Sequence, residues 1–340
     1  MRALVTGGGG FLGRYVVERL VARGDRVRTL GRGAYPELEA IGVEVQRGDV
    51  ADQEAVLKAC HEIDCVFHVA AAAGTGVDWQ PFERVNVRGT EHVLRACREQ
   101  GVGRLVYTSS PSVVFAGQDQ CGVDESTPYG TSWLDANGAH YSRSKALAER
   151  AVLAANGDAL RTCALRPHLI WGPRDNHLIP RLLERARRGR LRQVGDGANV
   201  VDVTYVENAA DAHVQAAAAL AFADSPVAGK AYFISQGEPV NCWHWIDEVL
   251  ALANLPPVGK SISYRAARRL GAVCEWAFRV LPRSATSGRG FVEPPMTRFL
   301  AAQLATSHWF DIFAARRDLG YEPAVSTAEG MQRLAAWLRG

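Results

Sequence analysis

The sequence predicts an α/β protein, a doubly wound parallel sheet with a smaller C-terminal lobe interleaved with it. Two observations carry this. Short apolar, β-branched runs alternate with helix-length stretches over roughly the first half of the chain, the pattern of strand-helix-strand units on a parallel sheet. The first run, "RALVT", leads directly into "GGGGFLG", so bare backbone sits at the carboxyl end of a strand, where such sheets bind ligands.

Taken in order, "RALVT" is a strand and Phe11 to Arg23 a helix; "RVRTL" is a strand, with a short helical piece near Pro36 to Ala40. "VEVQRGD" is followed by "QEAVLKAC", and "DCVFHVAA" by the helical stretch "FERVNVRGTEHVLRACREQ". "GRLVYTSS" precedes a long loop and a helix from about His140 to Ala155, and "LRTCALRPHLIWG" supplies another strand. From about His177 the alternation loosens. A basic stretch from Arg181 to Arg192 reads as a solvated helix face or a dock for an acidic partner, and "VVDVTYVENAADAH" as a returning strand and helix. A Pro/Gly/Ser-rich break follows at "LPRSATSGRGFVEPP". The division expected is a dinucleotide-binding domain over residues 1–175, with a returning segment near 200–235, and a mainly substrate-binding lobe over 176–340.

Composition sets the outer bounds. The 340 residues are 47% hydrophobic and 22% charged, enough for a large core, and the formal charge of +3 is too weak a bias to imply nucleic acid. Seven scattered cysteines without a CxxC pair read as reduced thiols, with no metal site. The opening strand leaves no room for a secretory leader, so a cytoplasmic location is expected. The segment from Arg265 to Leu281 is interrupted by arginines and a glutamate, so it does not span a membrane. It fits a helix over a greasy substrate cavity, and peripheral membrane contact stays open.

In "VTGGGGFLG", Gly7 allows the tight turn, Gly10 lets backbone approach a pyrophosphate, and Gly13 lets the helix pack close to the strand; the N-H groups of Phe11 and Leu12 open the helix toward the phosphates. This makes the sheet Rossmann-type. An acidic side chain after the second strand would hold ribose hydroxyls, whereas this chain has Gly31 and Arg32. NADP(H) is therefore favoured over NAD(H), with Arg32 on the 2'-phosphate. Asp49, followed by Val50, is either an acceptor for the adenine amino group or the N-cap of the next helix.

"YSRSK" places Tyr141 and Lys145 one helical turn apart. A phenol is a poor acid near neutrality, and a nearby ammonium favours its ionised form. "VYTSSPSVV" supplies hydroxyls about thirty residues upstream, at Ser109 and Ser110.

Together, "TGGGGFLG", "RGDV", "HVAA", "NVRGT", "YTSS", "YSRSK", "LRPHLIWGP" and "RRDLGYEP" resemble, in order and over essentially the whole chain, the extended short-chain dehydrogenase/reductases. The resemblance implies that Ser110 bonds the substrate carbonyl oxygen, with Ser109 the alternative one register away. Tyr141 would deliver a proton, while Lys145 would lower its pKa and bond the nicotinamide ribose. Val69, Ala70, Ala71, Asn86 and the backbone near Pro167 and His168 would line the cofactor, and a homodimer is the family's habit.

Within the family, nucleotide-sugar epimerases and dehydratases carry an arginine where this chain has Val201 before Asp202. "VDVTYVENAADAH" instead resembles the 3-beta-hydroxysteroid and sterol 4-carboxylate dehydrogenase branch. "RGAYPELEAIGVEVQRGDV", "GKAYFISQGEPV" and "EPPMTRFLAAQLATSHWFDIFAARRDLGY" are similar to the reductases of bacterial long-chain olefin and beta-lactone biosynthesis. That similarity implies reduction of the 3-keto group of a two-chain 2-alkyl-3-keto acid. A beta-lactone synthetase and a thiolase-like enzyme would be pathway partners. Trp276, Phe278 and Phe291 would suit its alkyl chains, and His140, His168 and Arg174 are candidates for its carboxylate. A non-catalytic NADP-binding scaffold is the rival of another class, and the presence of both Tyr141 and Lys145 argues against it.

Overall fold

The computed structural model describes residues 1–280 and 293–340. Seven parallel strands form the central sheet: β1 (Arg2–Thr6), β2 (Arg26–Gly31), β3 (Glu44–Arg47), β4 (Cys65–His68), β5 (Arg104–Thr108), β6 (Arg161–Pro167) and β7 (Lys230–Ile234). Their order is β3-β2-β1-β4-β5-β6-β7. The winding reverses between β1 and β4, so the sheet opens a ligand crevice at their carboxyl ends. β4 is buried along its whole length, as expected of a strand covered on both faces.

The helices used below are α1 (Phe11–Ala22), α2 (Gly89–Glu99), α3 (His140–Ala154), α4 (Leu178–Arg187), α5 (Val206–Ala219) and α6 (Tyr264–Val280). On one sheet face, Val16, Val17 and Leu20 of α1 pack with Ala209, Ala212 and Ala216 of α5. On the other, Val93, Leu94 and Cys97 of α2 pack with Ala148 and Val152 of α3. A third core joins Trp171, Trp243, Trp245, Leu182 and Leu334 outside the main sheet. Its neighbour is a four-stranded sheet in the order 240–241, 200–201, 308–310, 120–123.

Three expectations change. The stretch expected as one strand to Gly172 breaks at Leu169, whose φ of 42° turns the chain. Residues 170–171 then pair with 204–205 in a separate ladder. The strand returning to the main sheet is Lys230–Ile234, paired with β6, and not the 200–205 stretch. α6 also does not roof the cleft: it buries Ala267, Gly271 and Glu275 against the segment beginning at Thr297. A methyl on Gly271 would lie 2.5 Å from the Thr297 carbonyl carbon. Its opposite face, with Leu270, Val273 and Trp276, is exposed. Neither Trp276 nor Phe278 lines the main cavity, and Phe291 lies outside the described residues.

Candidate active site

A cleft of about 1070 Å³ runs along the carboxyl ends of the strands and is lined by the glycine turn, Arg32, Tyr35, Asp49, Val50, Ser109, Ser110, Tyr141 and Lys145. The turn is built for close approach. Gly7 has φ +72°, and a methyl on Gly13 would meet the Gly7 carbonyl oxygen at 2.2 Å. Only glycine at both positions lets α1 start this close to β1, leaving its first N-H groups facing the cleft at Phe11 and Leu12. The geometry fits a dinucleotide pyrophosphate.

A buried polar chain braces the opposite wall. Thr90 donates its hydroxyl hydrogen to the Asn86 carbonyl at 2.6 Å. It therefore accepts from His68 Nε2 at 3.0 Å, and His68 Nδ1 is left to accept from Thr6 Oγ1 at 2.7 Å. Thr6 in turn accepts from the Ala70 N-H. This chain fixes Ala70 against Gly7, and Ala70 and Ala71 both line the cleft. The Asn86 side chain bonds both backbone groups of Ala72 and the Ser144 hydroxyl. It is buried and outside the lining, so it braces the cleft wall from behind. The backbone around His168 runs along the cleft, since Pro167 and Leu169 on either side both line it, while the His168 ring turns to His308 at 2.7 Å.

At the other end of the cleft the Tyr35 ring lies across the turn, with its hydroxyl accepting from the Gly33 N-H at 3.2 Å. Tyr35 was not singled out from sequence, and its place directly after "GRGA" was the available sign. Arg32 is exposed and lines the cleft. Burial raises the Asp49 carboxyl, but the Ala51 N-H, Arg84 and Arg32 together hold it below its ordinary value. Asp49 is not the helix cap; Asp52 is, accepting from the Glu54 and Ala55 N-H groups.

The chemistry gathers where β5 ends beside α3. Burial pushes the Tyr141 phenol up to about 12, and its hydrogen bond with Ser110 pulls the other way. Ser110 thus stands beside Tyr141, its hydroxyl also 2.9 Å from the Ser112 hydroxyl; the Ser109 hydroxyl is buried without a partner among the described residues. Lys145 is buried, donates to the Thr108 carbonyl and lies 4.3 Å from the centre of the Tyr107 ring. Burial pushes it down to about 7, opposed by the charge of Glu149. The Lys145 ammonium is thus held between the Thr108 carbonyl and the Tyr107 ring, in the same crevice as the Tyr141 phenol. The Thr108 hydroxyl is held by His213 at 2.7 Å, whose other ring nitrogen faces the Ala209 carbonyl.

None of the three residues expected to meet a substrate carboxylate is open to it. His140 bonds the Val77 carbonyl, His168 bonds His308, and Arg174 grips Glu18 with two bonds of 2.6 and 2.8 Å. Of the basic stretch, Arg187 and Arg188 are exposed, but Arg181 lines the cleft and pairs with Glu293 at 2.9 Å.

A glycine turn, a hydroxyl-phenol pair and a buried lysine in one crevice define a nicotinamide-dependent oxidoreductase acting on a hydroxyl or carbonyl group. The chain belongs to the 3-beta hydroxysteroid dehydrogenase/isomerase family, whose model matches residues 4–255. It is 50% identical to the 2-alkyl-3-oxoalkanoate reductase of Stenotrophomonas maltophilia, covering 99% of each chain. It is 35% identical to the human sterol-4-alpha-carboxylate 3-dehydrogenase, decarboxylating, over 98% of this chain and 87% of that one. The UDP-glucose 4-epimerase of Thermus thermophilus, solved in complex with NAD, superposes with a TM-score of 0.72 at 25% identity, covering 100% of this chain and 99% of the other.

Proposed function

We propose that this protein reduces the 3-keto group of a 2-alkyl-3-ketoalkanoic acid to the 3-hydroxy acid, reversibly and with NADPH, in long-chain olefin or beta-lactone biosynthesis. The observation that carries the reading is the Ser110–Tyr141 pair beside buried Lys145, at the end of a cleft shared with the glycine turn. The 50% identity to a 2-alkyl-3-oxoalkanoate reductase supports the substrate class.

A bound nicotinamide supplies hydride to the carbonyl carbon. The protein does the rest. Ser110 holds the carbonyl oxygen, and Tyr141 delivers its phenolic proton there as the bond to oxygen becomes a hydroxyl. Lys145, titrating near neutrality, binds cofactor ribose and supports return of the proton to Tyr141. Arg32, exposed at the cleft's other end, would pair with a 2'-phosphate.

A 3-beta-hydroxysteroid or sterol 4-carboxylate substrate is the second reading, favoured by the 35% identity to the human enzyme. A nucleotide-sugar substrate is weaker: the Asp202 carboxylate is buried and accepts from the Phe310 N-H. In the keto-acid reading residues 176–340 mainly form the substrate-binding lobe, and the protein acts as a homodimer in the cytoplasm. The exposed Leu270, Val273 and Trp276 of α6 would contact a membrane surface or a pathway partner.

Tyr141→Phe tests the chemistry. Turnover should fall by about 10²- to 10⁴-fold with NADPH affinity nearly unchanged. Undiminished turnover would remove the proposed proton donor.

A further inference from the structure

We infer that Arg181 recognises the substrate carboxylate, exchanging part of its pairing with Glu293 for it. This rests on the keto-acid reading above. Arg181 sits in the first turns of α4 and lines the same cleft as Tyr141. Its guanidinium meets Glu293 at 2.9 and 3.2 Å. Glu293 also accepts from the Thr75 N-H at 3.0 Å, and Thr75 and Tyr141 share the lining of a small adjoining recess. Contacts thus lead from Arg181 through Glu293 to Thr75, which borders the same recess as Tyr141.

Among the described residues, the other arginines and the lysine of the cleft are held by a partner or stand at its far end. Arg84 pairs with Asp49, Arg32 stands on the loop beside the glycine turn, and Lys145 is held by Thr108. The N-H groups at the start of α4 are taken as well: Asp175 accepts from His177, Leu178 and Ile179, so the helix end is not a free anion site. Arg181 differs from these. A guanidinium carries five N-H donors and the Glu293 pairing uses two. Its side chain keeps 48% of its exposure, so it is open to the cleft. Arg185, one turn on, also feels the charges of Arg181 and Glu293. Glu184 also acts on Arg185 and pairs with Arg188 at 2.7 Å, so Arg181 is the arginine of this helix that reaches the cleft. A planar fork suits a carboxylate, and a bidentate pair fixes direction as well as affinity.

The test measures oxidation of a 2-alkyl-3-hydroxyalkanoic acid and of its methyl ester, with thermal midpoints recorded for every variant. The wild type should prefer the acid. Arg181→Gln should raise KM for the acid about 10- to 100-fold, the loss of a charge-assisted bidentate contact, and leave kcat/KM for the ester within about threefold. Arg181→Lys should recover part of the acid affinity. Glu293→Gln keeps an acceptor for Thr75 but releases the arginine, so KM for the acid should fall. An equal loss on acid and ester in Arg181→Gln, or a Glu293→Gln that weakens the acid, overturns the inference. A wild type indifferent to the ester also overturns it while leaving the keto-acid chemistry standing; a wild type that oxidises neither compound overturns that chemistry too.

Discussion

At the scale of single residues, the reactive groups were legible because their spacing is local. Tyr141 and Lys145 share a helix face, and Ser110 follows the end of β5, so a helical period and a strand end were enough to nominate them. What the side chains do once packed was not legible. The lysine ammonium is taken by a carbonyl and a ring contributed by β5, and no local pattern reveals that. Arg181 was hidden in a run of arginines, since its partner Glu293 lies 112 residues further along the chain. Arg32 carries the cofactor prediction. Arg32→Ala should weaken NADPH by about 10- to 100-fold and NADH by less than about threefold, the loss of one charge-assisted contact to phosphate. Titration of each cofactor by fluorescence checks this, and equal losses would show that Arg32 does not meet the 2'-phosphate.

At the scale of elements, the strands and long helices follow their apolar periods closely, and departures occur where the backbone does something special. The stretch read as one helix before α2 contains a π-helical segment, Glu83–Arg88. Such widened turns are rare and recur at functional sites. Here it carries Asn86 behind the cofactor wall, where the side chain satisfies both backbone groups of Ala72. Nothing in "FERVNVRGT" distinguishes a wide turn from an ordinary one. Asn86→Ala would leave those two groups unpaired, at about 1–3 kcal/mol each. Thermal midpoint and kcat/KM should fall together, and an unchanged midpoint would mean the wall does not depend on Asn86. The Leu169 turn and the exposed face of α6 were missed because both depend on distant neighbours. Gly271 packs against Thr297 from outside its own helix, and that contact decides which face of an almost uniformly mixed sequence is buried.

At the scale of the molecule, the sheet order and its crevice follow from the alternation of strands and helices, whereas the second sheet joins pairs too short and too far apart for periodicity to find. The buried histidines make a whole-molecule prediction. Burial lowers His68 to about 3 and His213 to about 4, and lowers His168 and His308 in the same direction. Unfolded, each takes a proton near its ordinary 6.5. The unfolded chain then binds more protons, so stability is lost as pH falls from about 6.5 toward 4. Asp202, raised by burial to about 6, and Asp175 and Glu125, also raised, act in the opposite sense but do not outnumber the four rings. Urea midpoints at pH 7.5, 6 and 5 should fall in that order, and a flat profile would contradict the neutral buried state assigned to these rings.

The central claim is tested most directly by following nicotinamide absorbance while purified protein is offered a 2-alkyl-3-hydroxyalkanoic acid and, in parallel, a 3-beta-hydroxysteroid, each with NADP⁺ and with NAD⁺. The account predicts NADP⁺-linked oxidation of the hydroxy acid and none of the steroid. Oxidation of the steroid alone would contradict the substrate assignment, and faster turnover with NAD⁺ than with NADP⁺ would contradict the role given to Arg32.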